Sequence, residues 1–304
     1  MDRFDTLARA LAREVPGLEL REEEPMRDHT TFRIGGPARL MALPRTPEEA
    51  CAVLRLAAEA DTAPFFLGNG SNLLVADSGY EGLVVKTAGM DRVRGEEGRL
   101  AAQCGIPLAR LAVAALERGL TGLEFAHGIP GTLGGAVLMN AGAYGGEMVQ
   151  VLAAVTYADE RGERVTLPAG DCGLTYRHSL FSEHPEWLIL EAELTLAPGE
   201  PEAVRARMEE LARQRRAKQP LEWPSAGSTF KRPEGHFAAA LIDQCGLKGV
   251  GIGGAQVSEK HAGFVINRGG ATAGDVRRLM DLVRETVLRQ TGVELEPEVR
   301  LLGF

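Results

Sequence analysis

Two glycine-rich stretches hold the densest candidate chemistry in this 304-residue chain. Gly68-Asn69-Gly70-Ser71-Asn72 follows the strand-like run Pro64 to Leu67. Its closely spaced backbone N–H groups, with two glycines free to take positive φ, suit either a tight turn or a cradle for a diphosphate. Leu73 stands where a third glycine would complete GxGxxG, so this is not a Rossmann fingerprint. That pattern does occur at Gly249, Gly251 and Gly254, with Asp275 downstream. No strand-like run leads into it and no apolar stripe at helical spacing follows, so it reads as a chance match. From Gly128 to Gly146 there are seven glycines in nineteen residues. Such density costs chain entropy and implies that something approaches the backbone closely. No GxxxxGK[ST] run is present, so the two stretches suit a dinucleotide better than ATP-dependent phosphoryl transfer. Cys51, Cys104, Cys172 and Cys245 form no CxxC pair, and the six histidines show no HExxH spacing. Reduced thiols and no metal centre are expected.

The elements that must position these loops are legible at their ends. Thr46-Pro47-Glu48-Glu49 opens a helix with a cap, a first-turn proline and two carboxylates, and Ala50, Val53, Leu54 and Ala57 give it one buried face. Pro64 to Leu67 and Leu83 to Val85 read as strands. An amphipathic stretch from Ile106 to Arg118 precedes the glycine-dense segment, after which strand signals dominate through Leu196. Turn residues at Pro198-Gly199-Glu200-Pro201 then separate that region from a charged helical stretch, Ala203 to Lys218, and set the expected domain boundary there. Two further helices are expected, Phe237 to Gln244 and Thr272 to Gln290, the latter with the capping-box pattern Thr272-x-x-Asp275. Glu294 to Leu301 reads as an edge strand, where Pro297 is tolerated.

Composition bounds the rest. The chain is 44% hydrophobic and 25% charged, with 34 Lys plus Arg against 42 Asp plus Glu. That excludes a disordered, collagenous or coiled-coil chain and argues against broad nucleic-acid binding, which needs a cation surplus. No uncharged apolar run approaches the roughly 20 residues that span a bilayer, and MDRFDTLARALAREV is a charged amphipathic start, not a signal peptide. A cytoplasmic, monomeric α+β protein of two domains is expected.

Six motifs, in order over nearly the whole chain, carry a resemblance. They are His29-Thr30-Thr31-Phe32-Arg33-Ile34-Gly35-Gly36, GNGSNLLV, GIPGTLGGAVLMNAGAYGGE, Tyr176-Arg177-His178-Ser179, Ser225-Ala226-Gly227-Ser228-Thr229-Phe230-Lys231 and Glu296-Pro297-Glu298-Val299-Arg300. Together they resemble the UDP-N-acetylenolpyruvoylglucosamine reductase family. The resemblance implies a two-lobed FAD-binding domain of the vanillyl-alcohol-oxidase (PCMH) type over residues 1–200, with lobes at about 1–85 and 86–200, and an α+β substrate domain over 201–304. It implies FAD as cofactor and NADPH as co-substrate. The substrate is then UDP-N-acetylglucosamine-enolpyruvate, reduced to UDP-N-acetylmuramate for peptidoglycan. The short connection from Tyr144 to Tyr176 leaves no room for the extra tyrosine loop of longer members, so the chain resembles the second, short type.

Roles carry over residue by residue. Hydride addition to an enol ether builds negative charge that the substrate carboxylate absorbs, so the chemistry needs a cationic clamp and a proton donor. The resemblance assigns the clamp to Arg177, whose guanidinium fork holds a carboxylate bidentately. It assigns the proton donor to Ser228, with Lys231 or a bound water as a possible relay, and a third catalytic role to Glu298. Cofactor contacts are expected at Gly68, Asn69, Gly70, Ser71, Asn72, Gly128, Pro130, Gly131, Gly134, Gly135, Ala136, Asn140 and Ala141. Substrate contacts are expected at Tyr176, Arg215, Lys218 and Lys231, with Arg213 and Arg216 as alternatives to Arg215 for the diphosphate. Two other readings share these loops: an FAD oxidase using O₂, and a catalytically silent nucleotide-binding protein. The joint presence of Arg177, Ser228 and Glu298 speaks against both.

Overall fold

Thr46 caps the helix Pro47–Glu59 as its sequence expects, its hydroxyl accepting the Glu49 N–H at 3.2 Å. Ala50, Val53, Leu54 and Ala57 are buried along one face, so the apolar spacing does become core. The computed structural model describes residues 2–95 and 97–304. The chain forms two compact units, one of Met1–Glu22, Arg39–Asn69 and Gly82–Gln214, the other of Glu23–Ala38, Gly70–Glu81 and Arg215–Phe304. Among the described residues, no helix is long and apolar enough to cross a membrane.

A four-stranded sheet takes Glu19–Pro25, Pro37–Leu43, Tyr80–Lys86 and Pro64–Leu67 in that spatial order, the last two paired parallel. Parallel pairing needs a crossover, and the chain returns from Leu67 to Tyr80 through the GNGSN loop. The first unit holds a five-stranded antiparallel sheet in the order Arg164–Pro168, Leu152–Ala158, Leu188–Thr195, Arg99–Gln103, Val93–Arg94. Helix Leu108–Leu116 buries Leu108, Leu111, Ala112 and Ala115 in that unit's core. The short helix Leu133–Leu138, inside the glycine-dense segment, is missing from the sequence reading. Gly134 and Gly135 suppress its helical signal, since glycine is among the poorest helix formers.

The second unit has its own core around Phe32, Ile34, Leu74, Ile242, Leu279 and Val283. Helices Ala238–Gln244 and Ala273–Thr291 pack with a three-stranded antiparallel sheet of Gly251–Ile252, Ala255–Val257 and Val265–Asn267. The Gly249–Gly254 pattern therefore lies in a hairpin, not at a strand-to-helix phosphate turn. Two expectations differ here. The sequence suggests one break near residue 200, whereas the second unit recruits Glu23–Ala38 and Gly70–Glu81 from the N-terminal half. Gly70–Glu81 is held there by the parallel pairing of Leu73–Val75 with Arg300–Leu302, and Glu23–Ala38 by Phe32 and Ile34 in that unit's core, contacts between distant segments that periodicity does not reveal. The regular C-terminal strand is also shorter than Glu294–Leu301. Pro297 makes only an isolated bridge to Phe230, and the regular ladder begins at Arg300, because proline brings no N–H to a ladder.

The long helix is capped twice. Thr272 accepts the Asp275 N–H at 3.0 Å while Asp275 accepts the Thr272 N–H at 3.1 Å, and Asp77 takes the N–H groups of Ala273 and Gly274 at 2.8 and 3.0 Å. Hydrogen bonding from the Thr272 backbone holds the Asp275 carboxyl below the usual aspartate value. Thr272→Ala is expected to cost about 1 kcal/mol, read from the urea midpoint. A carboxyl with a depressed native pKa stabilises fully above its unfolded value of about 3.9 and loses that contribution as pH falls. Wild type should therefore lose more stability on acidification below that value than Asp275→Asn does.

Candidate active site

In the first unit, Tyr176 and Arg177 occupy the tip of a tight turn closed by two reciprocal bonds, Thr175 N–H to His178 O at 3.1 Å and His178 N–H to Thr175 O at 3.2 Å. Arg177 adopts φ +56°, a left-handed conformation that costs a non-glycine residue on the order of 1–3 kcal/mol. Neighbours over-determine it. Asn140 donates its side-chain amide to Thr175 O at 3.2 Å, Ser179 Oγ donates to Leu138 O at 2.7 Å, and the Leu180 N–H reaches Cys172 O at 2.9 Å. The Arg177 guanidinium lies 5.0 Å from the centre of the Tyr176 ring, and Tyr176 is 48% exposed. A cation beside an accessible aromatic face suits a small anionic ligand with a planar part.

The two glycine-rich stretches meet in the same unit. Asn69 donates its side-chain amide to Pro130 O at 3.3 Å, and a Cβ on Gly68 would lie 2.3 Å from Thr132 Oγ1. Gly131 O accepts the Leu108 N–H at 3.0 Å, which fixes the loop against the start of the helix Leu108–Leu116. Much of the glycine density is explained by the protein itself. A Cβ on Gly134 would stand 2.9 Å from Cys104 Cβ, one on Gly142 would strike Glu147, and one on Gly146 would strike the Phe125 ring. Cys104 is inert packing there, its thiol pushed up to about 12 by burial. Gly135 is different, since a Cβ there would meet only Thr132 Oγ1 at 3.8 Å. The Nδ1 atom of His127, next to Gly128, is buried with no hydrogen-bond partner. An open glycine backbone and an orphaned polar atom within eight residues of each other in sequence fit a bound polar group such as FAD. The side-chain amide of Asn140, another residue expected at the cofactor, donates to Thr175 O and Glu147 Oε2, and its oxygen accepts the Val149 N–H, so both of its donors are used within the protein.

The second unit holds the rest of the GNGSN loop with the remaining candidates. Gly70 takes φ +59° and is packed so closely on His29 that a Cβ would lie 2.3 Å from its carbonyl oxygen, so this glycine too serves the chain's own packing. Asn72 donates its side-chain amide to Glu298 O at 2.9 Å, and the Arg300 N–H reaches Asn72 O at 3.1 Å. The Glu298 N–H bonds Thr229 O at 2.9 Å, so the segments carrying Ser228 and Glu298 run side by side. Ser228 is exposed between the bridges Ser225 to Ile266 and Phe230 to Pro297, while buried Thr229 anchors the loop through Gly263 O and the Val265 N–H. Sequence reasoning missed Thr229, which has no chemical signature of its own. Lys231 pairs through Nζ with the exposed Glu296. Arg215 and Lys218 end the helix Pro201–Lys218, and Gln219 Oε1 beside them is buried without a partner.

Residues 219–302 match the family described as UDP-N-acetylenolpyruvoylglucosamine reductase, C-terminal domain, and residues 38–168 match an FAD binding domain. Proteins named UDP-N-acetylenolpyruvoylglucosamine reductase are similar over nearly the full length. The one from Caldanaerobacter subterraneus subsp. tengcongensis is 46% identical over 92% of both chains. That from Clostridium novyi is 45% identical over 94% of this chain and 92% of its own. This chain belongs to the UDP-N-acetylenolpyruvoylglucosamine reductase family. A solved reductase structure from Thermus caldophilus agrees, with 33% identity, TM-score 0.79, and coverage of 94% of this chain and 98% of that one. An alkyldihydroxyacetonephosphate synthase at 19% identity and TM-score 0.50, covering 64% of this chain and 44% of its own, shares the fold alone. This member of the reductase family is thus an α+β, FAD-dependent oxidoreductase.

The two adjacent glycines of the short helix separate packing from binding. Gly134→Ala is expected to lower the melting temperature, because Cys104 Cβ blocks the new methyl group. Gly135→Ala should raise stability by up to about 1 kcal/mol as a helix substitution, yet reduce the flavin carried per protein. Thermal melts and flavin absorbance on both variants check this, and normal flavin content in Gly135→Ala would remove Gly135 from the cradle.

Proposed function

We propose that this chain reduces the enolpyruvyl ether of UDP-N-acetylglucosamine-enolpyruvate to the lactyl ether of UDP-N-acetylmuramate, with NADPH as the source of hydride. The observation that carries this is the match over 92% of both chains to reductases bearing that substrate in their name. Gly68, Asn69, Gly128, Pro130, Gly131, Gly134, Gly135, Ala136 and Ala141 of the first unit, with Gly70, Ser71 and Asn72, are the proposed cofactor residues. When bound, FAD supplies the chemistry of accepting and donating hydride. Arg177 holds the substrate carboxylate through its guanidinium fork, and the charge that builds there during reduction is met by a group that is always cationic. Tyr176 borders that clamp.

Ser228 delivers the proton to the other carbon of the enol ether. A free hydroxyl is a weak acid, so its neighbours must supply the acidity, and Glu298 is a titratable group on the adjoining segment. A protonated Glu298 would donate toward the enolate oxygen and help disperse its charge. Arg215, Lys218 and Lys231 are the proposed diphosphate contacts, cations concentrated locally in a chain of net charge −8. The short run between Tyr144 and Tyr176 supports the type that lacks an additional tyrosine loop.

Ser228→Ala should bleach with NADPH at the wild-type rate but return its flavin to the oxidised state at least about 10²-fold more slowly with UDP-N-acetylglucosamine-enolpyruvate. Anaerobic stopped-flow absorbance separates the two half-reactions. Equal slowing of both would remove Ser228 as proton donor. Rapid reoxidation by O₂, with none by the enolpyruvyl substrate, would make the protein an oxidase.

A further inference from the structure

We infer that Asn140 is a positioning residue for the Arg177 clamp, holding the turn that presents the guanidinium through the carbonyl of Thr175. This inference rests on Arg177 binding the substrate carboxylate, as proposed above. Asn140 is 2% exposed and lies just behind the short helix Leu133–Leu138, its own N–H bonding Val137 O at 3.2 Å. It takes φ +40°, which asparagine tolerates better than most residues. From there its side chain joins three pieces of chain. One amide hydrogen goes to Thr175 O at 3.2 Å, the other to Glu147 Oε2 at 3.2 Å, and its oxygen accepts the Val149 N–H at 3.0 Å. Thr175 is the first residue of the turn in which Arg177 is forced to φ +56°. A backbone strained in this way persists only while its flanks are pinned, and Thr175 O is the pin on the N-terminal side. Ser179, bonded to Leu138 O at 2.7 Å, is the pin on the other.

A ligand interaction that depends on a carboxylate should feel the loss of this pin, whereas one without a carboxylate should not. Asn140→Gly is the sharper variant, because glycine accepts φ +40° at no steric cost and only the amide is lost. Asn140→Asp keeps an oxygen for the Val149 N–H and removes both donations, so it provides a second route should the glycine variant fail to accumulate. Affinities of the oxidised holoenzyme for UDP-N-acetylglucosamine-enolpyruvate and for UDP-N-acetylglucosamine are measured from perturbation of the flavin spectrum. Either variant is expected to weaken the enolpyruvyl compound about ten-fold, the scale of one lost hydrogen bond, and to leave the sugar nucleotide within two-fold. A purely structural defect would weaken both together, and that outcome, or no change in either, overturns the inference. Arg177→Lys is the control for the clamp itself. If it abolishes the affinity difference while the Asn140 variants preserve it, positioning by Asn140 fails and the clamp stands; if it leaves the difference intact, the clamp fails and the inference with it.

Discussion

The second unit depends on one pairing, the parallel register of Leu73–Val75 with Arg300–Leu302. Without it the insertion Gly70–Glu81 has no partner strand, Leu74 leaves the core it shares with Phe32 and Val299, and Asn72 loses its hold on the Glu298 carbonyl. The same insertion supplies Asp77, whose carboxylate takes two N–H groups at the start of the longest helix. The other N-terminal insertion is tied in by Asn267, which donates to Phe32 O at 3.2 Å. Ser228 and Glu298 thus inherit their proximity from contacts made by chain that lies far upstream of both.

In the first unit the corresponding constraint is polar and buried. Buried amides are worth most where every hydrogen finds an acceptor, because a low local dielectric strengthens the bonds made and penalises those missed. Asn140 meets that condition with both donors used, and it joins the end of the glycine-dense segment to the turn of Tyr176 and Arg177. A strained arginine at the tip of a short turn would relax in an isolated peptide. Here its flanks are fixed by Asn140 on one side and Ser179 on the other.

Glycine density turns out to have two physical meanings in this chain. At Gly68, Gly70, Gly134, Gly142 and Gly146 the missing side chain lets one part of the protein lie against another, and any Cβ would sit closer than van der Waals contact allows. At Gly135 the space beside the backbone is open. Composition and spacing announce that something approaches these residues. They do not say whether it is a ligand or the chain itself, because both require the same absent Cβ.

Sequence alone determined whatever depends on near neighbours along the chain. The Thr46 and Thr272 caps, the apolar face of Pro47–Glu59, the strand Pro64–Leu67, the Leu83–Val85 centre of Tyr80–Lys86, and the motifs around Arg177, Ser228 and Glu298 were all legible, since capping, periodicity and turn chemistry act over a few residues. What lay beyond it was the discontinuous second unit, the short strand after Pro297, the pairing of Lys231 with Glu296 and the use of Asn140 as a brace. Each of those is decided by contact between segments remote in sequence. A side chain's chemistry is fixed by its type, but which partner satisfies it is settled only when the fold brings the competing donors and acceptors together.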